Sequence, residues 1–195
     1  MVTVVPPSAG FSDFLPLKRF STADYLQMIE AGVLGSQDRV ELIGGIIVEM
    51  SPAGIPHSGF LINIVDLFAP LLSRYKLAVQ ATLTVSESQV FDPDFMLLDR
   101  RPDNFKSKLP DAGDVRLLIE AADSSFPRDQ KVKMPICGSA GIPDYWIAEL
   151  EHKSIIIHRD PQPGGYRQIQ TLRGDDVVSP LAAPDFTFGV QQAFD

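Results

Sequence analysis

An almost continuous apolar run with one acidic residue inside it constrains the fold of this chain more than any other feature. The run extends from Val115 to Ala122, and only Arg116 and Glu120 interrupt it. A strand of this composition is typical of the centre of a sheet that is covered on both faces. An ionised carboxylate in such a strand is costly unless it is paired or bound to a metal ion. The run therefore predicts a central strand and a special environment for Glu120.

A second acid stands at the start of another apolar run. Asp94 follows Pro93 and begins a run of strand length over residues 94–98. If the two runs form neighbouring strands, Asp94 and Glu120 are hard to keep charged without a cation between them. Mg²⁺ prefers oxygen ligands and often uses one or two carboxylates with substrate phosphate oxygens. The pair predicts a Mg²⁺ site that could also take Mn²⁺; alternatively, Asp94 caps its strand or pairs with an arginine, and Glu120 points outward from an edge.

A lysine that completes such a site must come from outside the strand. Side chains alternate along a strand, so position 122 shares a face with Glu120, and this position is alanine. A helix is predicted over residues 129–140, and Lys133 borders its apolar stripe. That stripe is formed by Val132, Ile136 and Ala140. Lys133 is thus predicted to reach inward over the strand ends, with an ion pair to Asp129 on a solvated surface as the alternative.

Three further residues have both a functional and a structural interpretation. Glu41 could supply a third acid from the hairpin predicted over residues 40–50, or it could be an exposed residue paired with Arg39. His57 could contact a phosphate or the attacking water, although a histidine at a helix start is more often a polar cap. Cys137 is interpreted as a small core residue, and as the only cysteine it excludes an intrachain disulfide.

Net charge restricts the function classes. A net charge of −8 and a pI near 4.8 argue against loose, charge-driven binding to nucleic acid. An acidic protein can still hydrolyse phosphodiesters if a metal ion offsets the acids and basic residues are local. Neither a G-x-S-x-G nucleophile motif nor a phosphate-cradling glycine loop occurs. The chain also shows no secretory leader and no apolar stretch that would span a bilayer, so we expect a cytoplasmic protein without membrane association.

The length of 195 residues is sufficient for one domain with a full core. The order of helical and strand patterns predicts an α/β domain with a mixed α+β sheet over residues 19–195. A segment rich in Pro, Ser and Gly predicts a flexible arm over residues 1–18.

The positions of several other elements follow from local patterns. Ser21 is the predicted N-cap of a first helix. A 3.6-residue period predicts a long amphipathic helix over residues 57–75, which Pro70 kinks or ends early. Alternation predicts one strand over residues 77–85. Residues 154–159 and 166–172 are predicted to form a hairpin.

The chain carries an ordered series of short motifs. They are residues 38–45, residues 49–52 with His57, Pro93-Asp94, residues 119–125, Asp129-x-x-x-Lys133 and residues 140–147. In this order they resemble the Uma-type family of restriction-endonuclease-like proteins, within the PD-(D/E)XK nuclease superfamily. The resemblance covers roughly residues 18 to 190, nearly the whole chain.

The resemblance implies a restriction-endonuclease-like core, a mixed sheet with flanking helices, to which the C-terminal hairpin is added. It also implies Mg²⁺-dependent hydrolysis of phosphodiester bonds in DNA. Carried over by position, Asp94 and Glu120 ligate the metal, and Lys133 is the catalytic lysine displaced from the strand to the helix. Glu41 belongs to the opening acidic motif. Cleavage of both DNA strands would need two active sites and therefore favours a homodimer.

The sequence also departs from the family pattern. Gly44 and Ile46 stand where the family commonly has acids, Cys137 where a tyrosine is usual, and Ser139 where a basic residue is frequent. These departures keep open a rival hypothesis, a catalytically inactive nuclease-fold module that acts in DNA or protein binding. A hydrolase that uses paired carboxylates on sugars fits less well, because it gives Lys133 no role.

Overall fold

A computed structural model describes residues 17–35, 37–50 and 52–195. The predicted arm lies outside these residues except for Leu17 and Lys18. The first half of the chain contains α1 (Thr22–Glu30), β1 (Val40–Ile43), β2 (Ile46–Glu49), α2 (Ile55–Phe68), a 3₁₀ turn (Ala69–Ser73), β3 (Lys76–Val79), β4 (Leu83–Ser86), β5 (Gln89–Phe91) and β6 (Phe95–Leu98).

The second half begins with a 3₁₀ turn and a long strand and ends with short elements. Its elements are a 3₁₀ turn (Ala112–Asp114), β7 (Val115–Ala122), α3 (Phe126–Arg128), a π-helical turn (Asp129–Lys133), α4 (Met134–Ser139), β8 (Asp144–Glu149), β9 (Ser154–Gln162), β10 (Gly165–Arg173), β11 (Val177–Val178), β12 (Phe188–Gly189) and a 3₁₀ turn (Val190–Ala193).

A six-stranded mixed sheet in the order β10-β9-β8-β7-β6-β3 forms the centre of the fold. Strands β7 and β8 are parallel, and the other neighbouring pairs are antiparallel. Parallel neighbours need a crossover connection, and the segment from α3 to α4 provides it. A four-stranded sheet, β2-β1-β5-β4, accompanies the central one. The predicted mixed sheet with flanking helices is therefore confirmed, and the predicted C-terminal hairpin, β9–β10, extends it at one edge.

Strand β7 is the central strand that the apolar run predicts. It lies between β6 and β8, and Arg116 is its only residue that is not buried. Leu117, Ile119 and Ala121 pack into the hydrophobic core on the α2 side of the sheet. Leu118 and Ala122 pack into the second core, which contains residues of α4. Because side chains alternate, Glu120 points to the same side as these two residues, toward the crossover helices.

Helix α2 covers the opposite face of the sheet. Its buried residues are Phe60, Leu61, Ile64 and Phe68. The ring of Phe68 lies 5.0 Å from that of Phe95 and 6.4 Å from that of Trp146, measured between ring centroids. Helix α2 ends before Pro70, as predicted, and continues as the 3₁₀ turn. By length and composition alone Ile55–Ser73 could cross a membrane, but its buried aromatic and aliphatic residues pack into the core of this fold.

Helix α1 packs against the smaller sheet. Ser21 caps it as predicted: the backbone N–H of Asp24 donates to Ser21 Oγ over 3.1 Å, and the Asp24 carboxylate accepts from the Ser21 backbone. Tyr25 is buried beside Leu42 and Val90, and its hydroxyl donates to the carbonyl oxygen of Val40 over 2.8 Å. These contacts anchor the β1–β2 hairpin, which carries Glu41.

The single strand predicted over residues 77–85 is wrong. The segment forms two strands, of which β3 pairs with β6 in the central sheet and β4 pairs with β5 in the smaller sheet. Gln80 separates them in a left-handed conformation with φ of 48°. The alternation of apolar residues continues through this break, because each strand buries one face against a different core, and a period-2 pattern does not register the change of sheet.

The predicted apolar stripe of the crossover helix is also partly wrong. Val132 is 37% exposed, whereas Lys133 is only 2% exposed. The helical segment begins earlier than predicted, at Phe126, and passes through the π-helical turn before α4. A π turn contains more residues than an α turn, so it rotates the following side chains relative to the 3.6-residue period. In the structure Asp129 and Lys133 of this turn are both buried.

Substitution of Gly138 by alanine is expected to lower the free energy of unfolding by about 1–3 kcal/mol, despite the higher helix propensity of alanine. A Cβ atom at this position would collide with the backbone carbonyl oxygen of Gly165 in the β9–β10 hairpin. The matched control is Gly59→Ala in α2, where nothing lies within 4 Å of the added atom. This control should gain roughly 0.5–1 kcal/mol. Urea unfolding of both variants checks the prediction, which the same sign of change in both would contradict.

Candidate active site

The pairing register of β6 and β7 brings the two predicted acids together. Phe95 pairs with Ile119 in this antiparallel ladder, so the next position on each strand places Asp94 opposite Glu120. The backbone N–H of Ala121 donates to Asp94 Oδ2 over 2.9 Å. The backbone nitrogen of Asp94 lies 3.5 Å from Glu120 Oε2. Both side chains are buried, and no arginine pairs with Asp94 among the described residues, so an arginine partner for Asp94 and an outward, edge-facing Glu120 do not describe the structure. A cap role for Asp94 at the start of β6 is compatible with its contact to the backbone of Ala121.

Lys133 reaches this pair from the crossover helix. Its Nζ atom lies 3.0 Å from Glu120 Oε1 and 2.8 Å from Glu41 Oε1. The predicted inward direction of Lys133 is therefore observed. The alternative interpretations, a solvated Lys133 beside Asp129 and an exposed Glu41 beside Arg39, do not describe the structure, because Lys133 is 2% exposed and Glu41 is 1% exposed.

One lysine is thus shared by two buried carboxylates. Burial raises the pKa of Glu120 well above its ordinary value, and the positive charge of Lys133 offsets only part of this increase. Burial by itself would lower the pKa of Lys133, but the carboxylates of Glu120, Glu41 and Asp129 outweigh it and raise the pKa above the ordinary lysine value. Lys133 is therefore held as a cation, whereas Glu120 still lacks a full positive partner.

Glu41 comes from the other sheet. Its Oε1 atom accepts the backbone N–H of Asp92 over 3.1 Å as well as the Lys133 ammonium group. Its Oε2 atom is buried and has no hydrogen-bond partner within the described part of the chain. The strand β1 is thereby joined to the crossover helix at the point where the two sheets meet.

His57 is the site residue whose contact partner the sequence did not predict. It lies in the first turn of α2, and its Nε2 atom is 2.9 Å from Asp94 Oδ1. The helix has Gly54 as its N-cap with no side-chain cap bond, so His57 does not serve as the cap. The hydrogen bond to Asp94 raises the pKa of His57, against the effect of burial. The helix-start pattern indicates where this histidine lies in α2, but its contact with Asp94 depends on how α2 packs across the sheet.

These groups lie at a cavity of about 60 Å³ between the β1–β2 hairpin, the start of α2 and the crossover helices. Its charged lining is predominantly acidic. The acids are Asp92, Asp94, Glu120, Asp123 and Asp129, and the permanent cations are Arg39, Arg128 and Lys133. The acidic side chains of this lining thus outnumber its permanent cations. Burial raises the pKa of Asp129 and of Asp92, and the nearby cations offset only part of this increase.

The donor set can be compared with what a metal ion requires. Within residues 17–35, 37–50 and 52–195, no group of three or more His, Cys, Asp and Glu side chains is arranged to hold a metal ion. Two adjacent carboxylates at an acidic cavity do fit Mg²⁺, which usually keeps several waters and takes only one or two carboxylates from the protein. Mg²⁺ would also offset negative charge of the acidic lining. The site therefore fits an open Mg²⁺ site formed by Asp94 and Glu120.

An acid at the start of β6 lies opposite an acid within β7 on a mixed sheet with flanking helices, as in the restriction-endonuclease-like core that the sequence predicts. The sequence matches the Uma2 family, described as "Putative restriction endonuclease", over residues 22–191, and the chain belongs to this family. A similar fold occurs in the crystal structure of a protein from Anabaena variabilis, described as a "putative nuclease belonging to DUF820". The TM-score is 0.69 at 14% identity, and the match covers 92% of this chain and 98% of that chain. A search of curated proteins found no significant match.

Proposed function

We propose that this protein is a Mg²⁺-dependent endonuclease that hydrolyses phosphodiester bonds in DNA. The observation that carries the proposal is the position of Asp94 opposite Glu120 at an acidic cavity, with Lys133 bound to Glu120. Membership of the Uma2 family supports a nuclease rather than another hydrolase.

Asp94 and Glu120 would hold the metal ion. When bound, the ion would polarise the scissile phosphate and lower the pKa of a bound water molecule. The protein orients Asp94 on two sides. The backbone N–H of Ala121 holds Oδ2, and His57 holds Oδ1. Carboxylate ligands that are themselves hydrogen-bonded keep a fixed direction, which favours one metal position.

Lys133 would stabilise the charge that develops on the phosphate. An ammonium group has three N–H donors, and the contacts with Glu41 and Glu120 use two of them. The third remains for a phosphate oxygen or for the attacking water. Because its pKa is raised, Lys133 acts as a positive charge and a hydrogen-bond donor and not as a general base. Glu41 supports this role by holding the Lys133 Nζ atom.

The proposal is tested by nicking of supercoiled plasmid DNA. Protein treated with EDTA should be inactive, and Mg²⁺ or Mn²⁺ should restore the activity. Asp94→Asn should lower the metal-restored rate by roughly a hundredfold or more, since one metal ligand is lost. The matched control is Asp123→Asn, an exposed acid that lines the same cavity.

Two results would contradict the proposal. Cleavage that persists without a divalent metal would exclude the metal site, and equal activity of Asp94→Asn and wild type would exclude Asp94. Calorimetry with Mn²⁺ adds a readout that does not depend on activity: the wild type should bind the ion and Asp94→Asn should not. A wild type that binds DNA but never cleaves it would instead identify the non-catalytic module.

A further inference from the structure

We infer that Arg39 and Arg128 form a phosphate-binding rim that holds the nucleic-acid backbone beside the acidic cavity. The ligand is a backbone phosphate that flanks the scissile one, and the inference rests on the proposed function in that it names how the same site holds its substrate. Both arginines line the cavity, Arg39 from the chain that enters β1 and Arg128 from the end of α3.

A short chain of backbone contacts at the open end of the β1–β2 hairpin positions the two arginines relative to each other. Val40 pairs with Glu49 in the ladder, and the backbone N–H of Met50 donates to the carbonyl oxygen of Arg39 over 2.8 Å. The guanidinium group of Arg128 donates from Nη1 to the carbonyl oxygen of Glu49 over 3.1 Å. The hairpin end therefore holds both arginines at one edge of the cavity.

The hydrogen bonding of these arginines differs from that of most others in the described part of the chain. Five arginines are paired with aspartates, namely Arg74, Arg101, Arg116, Arg159 and Arg167. Within the described residues, neither Arg39 nor Arg128 forms a salt bridge with a carboxylate, although the cavity they line contains five acids. The Nε atom of Arg128 is buried there without an acceptor. Both guanidinium groups thus remain available for an anion, and their planar donors match phosphate.

Electrostatics provides a second reason for the rim. A phosphodiester backbone that approaches this protein meets a net charge of −8. Lys133 is buried and bound to two carboxylates, so it cannot offset repulsion outside the cavity. Arg39 is exposed and Arg128 is half-buried, which leaves them as the permanent cations of the lining that nucleic acid reaches first. Local cations of this kind are what an acidic protein needs to bind a polyanion.

The test is the salt dependence of binding to a labelled DNA duplex, with Ca²⁺ in place of Mg²⁺ and the duplex verified as intact. Arg39→Gln and Arg128→Gln should each weaken binding by about tenfold and reduce the slope of log K against log salt by roughly 1, as expected for one lost phosphate contact. Arg39→Lys and Arg128→Lys should keep the slope. The matched control is Arg167→Gln, which removes the same charge from β10, outside the cavity.

Each outcome decides the inference. The inference is supported if Arg39→Gln and Arg128→Gln each reduce the slope of log K against log salt and Arg167→Gln does not. An equal effect of all three glutamine variants would show that only the total charge matters, and this result would overturn the inference. The absence of DNA binding by the wild type would overturn it as well. The proposed function is judged separately by hydrolysis of bis(4-nitrophenyl) phosphate, a small diester without flanking phosphates. Hydrolysis by the wild type but not by Asp94→Asn keeps the proposed function, whatever the arginines do.

Discussion

Replacement of Lys133 by methionine is expected to lower the free energy of unfolding by about 3–5 kcal/mol, the cost of leaving buried charges without their partner. Among the described residues, Lys133 is the one cation in hydrogen-bond contact with Glu41 and Glu120, and both carboxylates are almost fully buried. Methionine fills a similar volume, so the loss reports mainly on charge and hydrogen bonding. The measurement is urea unfolding at neutral pH in the presence of EDTA.

Lys131→Met is the matched control, because Lys131 lies on the same π-helical turn but is exposed. Its free energy of unfolding should change by less than about 0.5 kcal/mol. Adding Glu41→Gln to Lys133→Met should recover part of the lost stability, since the second change removes one of the uncompensated charges. Equal stability of the two lysine variants would show that the buried ion pairs contribute nothing.

Replacement of Glu120 by glutamine is expected to have opposite effects on activity and stability. Plasmid nicking should fall by roughly a hundredfold or more, because a proposed metal ligand is lost. In metal-free buffer, however, the variant should be more stable than the wild type. Burial raises the pKa of Glu120 well above its ordinary value, which means that the fold favours the neutral form of this side chain. Glutamine is neutral and retains an oxygen that can accept from Lys133.

The pH dependence of this difference tests its cause. A raised pKa in the folded state means that the folded protein binds the proton more tightly than the unfolded chain. The penalty from ionised Glu120 is therefore fully present above the folded-state pKa and disappears as pH falls toward the ordinary glutamate value. The stability advantage of Glu120→Gln should shrink over the same range in urea unfolding. An advantage that stays constant with pH, or a less stable variant, would contradict this explanation. Asp123→Asn again serves as the control.

Much of the fold could be predicted because its elements bury characteristic patterns. The apolar run over β7 predicts a central strand, the glycine pair after β1 predicts a hairpin, and the spacing in α2 predicts an amphipathic helix. The split between β3 and β4 could not be predicted, because alternation continues across Gln80 while the chain changes sheets. The π-helical turn could not be predicted either, since periodicity assumes a constant number of residues per turn.

The candidate site divides in a similar way. An acid inside a buried strand is a property of the sequence, and so is a second acid at the start of another strand; both indicate a site before any pairing is known. An inward direction of Lys133 is one of two alternatives from the sequence, since Ala122 leaves no lysine beside Glu120 on its own strand, and the structure decides between them. The contact of His57 with Asp94 and the location of Arg128 at the hairpin end depend on packing between elements that are distant in the chain.

The sequence by itself determined that this protein has one acid within an apolar strand pattern, a second acid at the start of another, and a mixed set of strands and helices to carry them, because composition and side-chain alternation are local properties of each strand. Only the tertiary structure decided which groups surround that pair. The register of β6 and β7 sets Asp94 opposite Glu120, the packing of the crossover helix places Lys133 beside Glu120, and the meeting of two sheets adds Glu41. Such contacts join residues far apart in the chain, and no local pattern encodes the distances between them.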